Sequence, residues 1–127
     1  MKIIIKKKTP SINHLYGFKG YHKFLTKEAK ELRQYIDEVV KKKVGNLNLD
    51  IEDYEDKKLT LLVEIYENWL TKSGDVYKKD ISNREKFLVD SIFKSLGLDD
   101  KFIWDHTMKK IQSTEEKAVV EIKPFRI

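Results

Sequence analysis

The chain has 127 residues, of which 40% are hydrophobic, and carries a formal net charge of +5. That length supports one hydrophobic core, so a single domain over residues 1–127 is expected, and the apolar content excludes wholesale disorder. The absence of cysteine excludes a disulfide scaffold and thiolate metal sites, and the basic balance is compatible with an anionic partner without selecting one.

Lys2–Lys7 reads as a short strand closed by Thr9-Pro10-Ser11. Its apolar run, Ile3-Ile4-Ile5, falls short of the roughly 7–15 residues of a signal core, and no segment approaches the roughly 20 of a membrane span. A soluble, cytoplasmic protein is therefore expected. Residues 11–26, with Tyr16, Gly17, Phe18, Gly20, Tyr21 and Phe24, read as an ordered loop. A helix is predicted over Lys27–Val44, where Ala29, Leu32, Tyr35, Ile36, Val39, Val40 and Val44 recur at helical spacing; Thr26 caps it and Gly45 stops it. Residues 46–58 are an acidic connection without the glycine and glutamate of a calcium loop.

Leu59–Trp69 is rich in branched and aromatic residues and predicts a strand buried on both faces for part of its length. Lys-Ser-Gly-Asp within residues 71–79 marks a turn. A second helix is expected over Asn83–Leu96, stopped by Gly97. Residues 101–112 and 117–123 read as strands joined through Ser113–Glu116 in an antiparallel hairpin. Trp69 and Trp104 are assigned to the core. The order β-α-β-α-β-β predicts an α/β (α+β) fold, a two-layer sandwich with helices covering a mixed sheet.

The second helix carries the chemistry. Leu88, Val89, Ile92, Phe93 and Leu96 form an apolar arc, bordered by a polar strip of Asn83, Lys86, Asp90 and Lys94, with Phe87 as the apolar exception on the polar side. Ser82 and Glu85 make S-x-x-E, a capping box, and Asp80 sits ahead of the helix start where its charge is favoured. Asp99 and Asp100 follow the glycine stop. Carboxylates gathered from the two ends of one helix, with Lys86 between them, are the donor set of a hard divalent cation acting on a phosphodiester. If the strand after Asp100 pairs beside Leu59–Trp69, Asp80 and Asp100 meet at one sheet edge. Helix initiation for the first group and an exposed acidic turn for the second remain open alternatives.

These residues resemble the RusA-type Holliday junction resolvases. The family's pattern is a basic loop, Asp-x-Asp-Asn, a Lys three residues on, an Asp four beyond it, and an Asp-Asp pair after the helix. Here Asp80, Asn83, Lys86, Asp90, Asp99 and Asp100 fall on those positions, and Pro10–Tyr16 resembles the family's P-S-x-N-x-x-Y segment. The resemblance implies a homodimeric endodeoxyribonuclease that cuts branched DNA, four-way junctions above all, by paired symmetric nicks with Mg2+ or Mn2+. It implies Asp80 and Asp100 as metal ligands, Asp99 as a supporting carboxylate, and Lys86 as a catalytic charge. Lys72, Tyr77, Lys78, Lys79 and Arg84, with Asn13 and Tyr16 of the N-terminal segment, become the DNA-contacting set. Ser82 stands where the family has a second Asp. It is a weak ligand at most, with Asp90 or Glu85 as substitutes. Two rival readings stay open: a silent branched-DNA-binding dimer in which Ser82 marks the lost ligand, and a small interaction protein.

Overall fold

A computed structural model describes residues 1–11, 15–19 and 22–126. Four strands form the main sheet: β1 (Lys2–Ile5), β4 (Leu59–Glu67), β5 (Ile103–Gln112) and β6 (Lys117–Pro124), in the order β1-β6-β4-β5. Their inward positions make continuous apolar rows across the sheet. Ile3 pairs with Val120 and Val120 with Val63; Ile5 pairs with Ala118 and Ala118 with Ile65. All six are buried. Two helices, α1 (Lys27–Leu47) and α2 (Ile81–Leu96), cover that face and supply Ala29, Leu32, Ile36, Val40, Leu88, Ile92 and Phe93 to the same core. This is the expected α+β arrangement. The outward residues of β4 are only half-buried, so its second face is not a core face as the sequence suggested.

β4 and β5 are parallel, which demands a crossover, and α2 is that crossover. The expected β5–β6 hairpin does not form. β6 pairs antiparallel with β4 on the side away from β5. The connecting residues instead pass over the end of β4, where the Ser113 N–H donates to the Glu67 carbonyl at 3.0 Å. Two strand spacings are about 9.6 Å, within reach of four residues. The apolar rows explain the choice: β6 offers Ala118, Val120 and Ile122 to the core, and β5 offers His106, Met108 and Lys110 at the equivalent register. The more apolar strand takes the interior place.

Residues 16–25 form an antiparallel hairpin, β2 (Tyr16–Lys19) with β3 (His22–Leu25), and not the loop expected. Gly17 lies opposite Phe24, whose ring occupies the space a Cβ would need, 2.5 Å away. The hairpin and α1 bury Phe87: the Tyr16 ring meets it edge-on at 6.2 Å and the Arg33 guanidinium lies 4.9 Å above it. Phe87 is therefore a core residue and not an exception on a polar face. Thr26 caps α1 by accepting from the Ala29 N–H at 3.2 Å. The helix runs past Gly45, and Asn48 in the left-handed region (φ 49°) ends it.

Candidate functional site

At the C-terminal end of β4 the inward row Leu59, Leu61, Val63, Ile65 finishes with Glu67, which is 1% exposed. A buried carboxylate needs counter-charge. Lys79 Nζ lies 3.2 Å from it and Arg84 Nε 3.6 Å, one from each side of Asp80. Lys79 Nζ also donates to the Asn68 carbonyl at 2.8 Å, and Lys110 Nζ donates to the Lys79 carbonyl at 2.8 Å. The backbone leading into α2 is thus clamped to the ends of β4 and β5.

Asp80 is the N-cap of α2. Its Oδ1 accepts from the Ser82 N–H at 3.1 Å and from the Ser82 hydroxyl at 2.8 Å. The hydroxyl first, and the N–H second, hold its carboxyl below the ordinary carboxylate range. Ser82 is consequently inside the helix and not its cap, so the S-x-x-E capping box is not formed. Ile81, half-buried against the core, is drawn into the first turn and moves the cap back to Asp80. Glu85 points inward at 6% exposure, its Oε1 2.9 Å from His106 Nε2 of β5. Burial raises its pKa, with His106 acting against the rise. Ser11, Lys78, Lys79, Asp80, Asn83 and Arg84 line the cleft here.

At the other end of α2, Gly97 takes the left-handed conformation (φ 71°) and the Leu98 N–H closes on the Phe93 carbonyl at 3.0 Å, as its sequence predicts. Asp99 caps the 3-10 turn that follows by accepting from the Lys101 N–H at 2.9 Å. Asp99 and Asp100 are exposed and line a second cleft with Asp90 and Lys94. Asp90 has a raised pKa, first because it is partly buried and then because the Asp100 charge is close; Lys86 and Arg33 oppose the rise. Carboxylates at a helix C-terminus face the negative end of its dipole, so this cleft favours a cation.

Asp90, Asp99 and Asp100 therefore gather at one end, and Asp80 with Ser82 at the other. Asn83, Lys86, Asp90 and Lys94 form the solvent-facing strip between the two. The intervening 16 residues of helix rise about 24 Å. Asp80 and Asp100 do not meet within one chain: β5 does pair beside β4, but the parallel direction leaves Asp100 at the start of the strand pair and Asp80 at its finish. Among the described residues no three acidic or histidine side chains converge as metal donors. One chain thus does not supply the shared pocket that a divalent ion held by both acids requires.

The DNA-contacting set divides as well. Lys72 and Lys78 are exposed and Tyr77 is 39% exposed, with Lys79 Nζ 4.6 Å above its ring. Lys79 and Arg84 are committed to Glu67. Tyr16 packs on Phe87 beneath Lys23 Nζ, 3.9 Å from its ring. Asn13 lies outside the described residues. Trp69 is buried, its indole N–H donating to the Ile65 carbonyl at 3.0 Å, but Trp104 is 62% exposed, contrary to its assignment to the core. Glu67 was missed although its signal was present: a glutamate continuing the inward parity of Leu59, Leu61, Val63 and Ile65 has to meet a buried cation.

The fold and these acids define a small α+β domain whose helix links two acidic clefts. The chain matches the endodeoxyribonuclease RusA family over residues 6–123 and belongs to it. No curated protein matches the chain. No helix among the described residues is long and apolar enough to cross a membrane.

Proposed function

We propose that this protein is a structure-selective endodeoxyribonuclease that resolves four-way DNA junctions by paired symmetric nicks, in recombination and repair and in the cytoplasm. The observation that carries the reading is the family match across residues 6–123, supported by the solvent-facing strip of α2 with Asp80 and Asp100 at its ends. A four-way junction offers two equivalent strands, and a two-fold homodimer answers with two equivalent sites. Lys72 and Lys78 neutralise phosphates, and Tyr77 offers a ring on which an opened base stacks. Lys86, exposed on α2, stabilises negative charge developing on the scissile phosphate or protonates the leaving oxygen. Ser82 holds Asp80 in one orientation through its hydroxyl, which gives the serine a positioning role where the family pattern has a second carboxylate. The family resemblance carries a dependence on Mg2+ or Mn2+ with it, and no step through the ion is drawn for a single chain.

Incubating the protein with a labelled four-way junction and Mg2+ or Mn2+ tests this. Symmetric nicks that Asp80→Asn and Asp100→Asn both abolish are expected. A shifted band without cuts supports the silent DNA-binding reading instead, and neither nicks nor a shifted band refutes both.

A further inference from the structure

β5 is the feature of the fold left without a partner. It is ten residues long and hydrogen-bonded on one side only, whereas the opposite edge strand, β1, has four residues. Residues 104–110 are all exposed, Trp104 at 62% and Met108 at 38% among them. The strand contains neither proline nor glycine. Its one irregularity is the bulge at its N-terminal end, between the partners of Leu59 and Thr60. Exposed edges of this length are templates for another strand.

The charges along β5 specify which strand fits. Its first half carries Asp105, just after Asp99 and Asp100, and its second half carries Lys109 and Lys110. A parallel copy in register would set like charges side by side. An antiparallel copy reverses them. Residues directly opposite in an antiparallel pair share a face, and Asp105, Thr107 and Lys109 all lie on the face away from the helices, since their neighbours on β4 are the outward residues Thr60, Leu62 and Glu64. With the two-fold axis at Thr107, each Asp105 stands opposite Lys109 of the partner subunit. Opposite charges in such cross-strand pairs are stabilising.

The same axis resolves the separation of the acids. Asp100 precedes β5, and Asp80 lies beside its far end, where Lys110 holds the Lys79 carbonyl. In an antiparallel pair the start of one β5 lies against the end of the other, so Trp104 of the partner subunit falls opposite Lys110. We propose that β5 pairs antiparallel with β5 of a second copy about a two-fold axis at Thr107, and that each nuclease site combines Asp80 of one protomer with Asp100 of the partner subunit. The strand pairing stands independently of the nuclease reading; the shared site rests on it.

Two measurements test the two halves. The chain has no cysteine, so Thr107→Cys introduces one thiol on the axis. Mild oxidation converts this variant to a covalent dimer on a non-reducing gel, while Gln34→Cys, exposed on α1, stays monomeric. Absence of the Thr107→Cys dimer, from a variant whose circular dichroism matches the parent, overturns the pairing. For the shared site, Asp80→Asn and Asp100→Asn proteins are unfolded together and refolded. The mixed dimer then owns one intact site, and random mixing restores about one quarter of the parental sites, seen as single nicks in a junction. If the parent cuts and the mixture does not, the acids act within one chain and the shared site is wrong. If the parent cuts nothing, the nuclease reading and the shared site fall together, and the cross-link alone decides the strand pairing.

Discussion

Replacing Glu67 by alanine removes the anion that holds both cations flanking Asp80. Glu67 is 1% exposed at the side chain, Arg84 13% and Lys79 24%. Breaking a buried pair by deleting one partner costs about 3–5 kcal/mol. Here the cations reach water in part, and Lys79 keeps its 2.8 Å bond to the Asn68 carbonyl, so the loss falls at about 3 kcal/mol, the lower end of that range. For 127 residues the unfolding entropy is about 0.27 kcal/mol per kelvin, which converts this loss to a fall in Tm of about 11 °C. Glu67→Gln keeps the volume and an acceptor but not the charge, and lands between the two. Thermal and urea denaturation followed by circular dichroism, at low and at high salt, measure both. Because the pair is buried, the cost should persist at high salt where an exposed pair would be screened. A Glu67→Ala protein within about 0.5 kcal/mol of the parent, the range of ordinary surface changes, would refute the assignment of Glu67 as the anchor of this end of the site.

Ser82→Ala removes the larger of the two bonds that depress Asp80. Its pKa should rise toward 3.8 in a carbon-detected NMR titration, without reaching it while the N–H bond remains. Asp80 contributes stability above its unfolded value that is lost as pH falls through the depressed folded value, so in the variant that loss begins at a higher pH. No movement of the Asp80 titration would show that the hydroxyl does not donate to it. Asp80→Asn separates fold from chemistry: asparagine caps a helix as well as aspartate, so Tm should hold while nicking disappears, and a collapse of Tm would contradict the cap. For Glu85 the sign is opposite. Its folded pKa is raised above 4.5, chiefly by burial, so the native state keeps the proton longer and stability falls as pH rises from 4.5 through the raised value. Glu85→Gln should flatten the dependence of urea midpoints on pH in that window, and parallel curves would show that the buried carboxyl does not titrate as argued.

The two helices were legible because their signals are local. Thr26, the apolar period of α1, the arc of α2 and the Gly97 stop act within a few residues of one another. The cap of α2 was misread because Asp80 and Ser82 are both good caps; what decides between them is the core contact of Ile81, a tertiary fact. The supposed β5–β6 hairpin failed for a related reason. A four-residue connection usually joins neighbouring strands, and only the contrast of Ala118-Val119-Val120 with His106-Thr107-Met108 hints that one strand belongs inside the sheet and the other at its edge. Glu67 was readable from parity alone. The family's pattern identified Asp80, Lys86, Asp90 and Asp99-Asp100 as a set, but spacing along a chain cannot show that a 16-residue helix holds the set apart, nor that a parallel strand pair leaves it apart.

Spin labels report that geometry directly. Cysteine in place of Ser82 on one set of chains and of Lys101 on another, both exposed beside the acids in question, allows pulsed electron paramagnetic resonance on mixed dimers. The account predicts a separation between labels on different chains clearly shorter than the roughly 24 Å that α2 imposes within one chain. A separation between chains equal to or longer than that, or none measurable because the protein is monomeric, would contradict it.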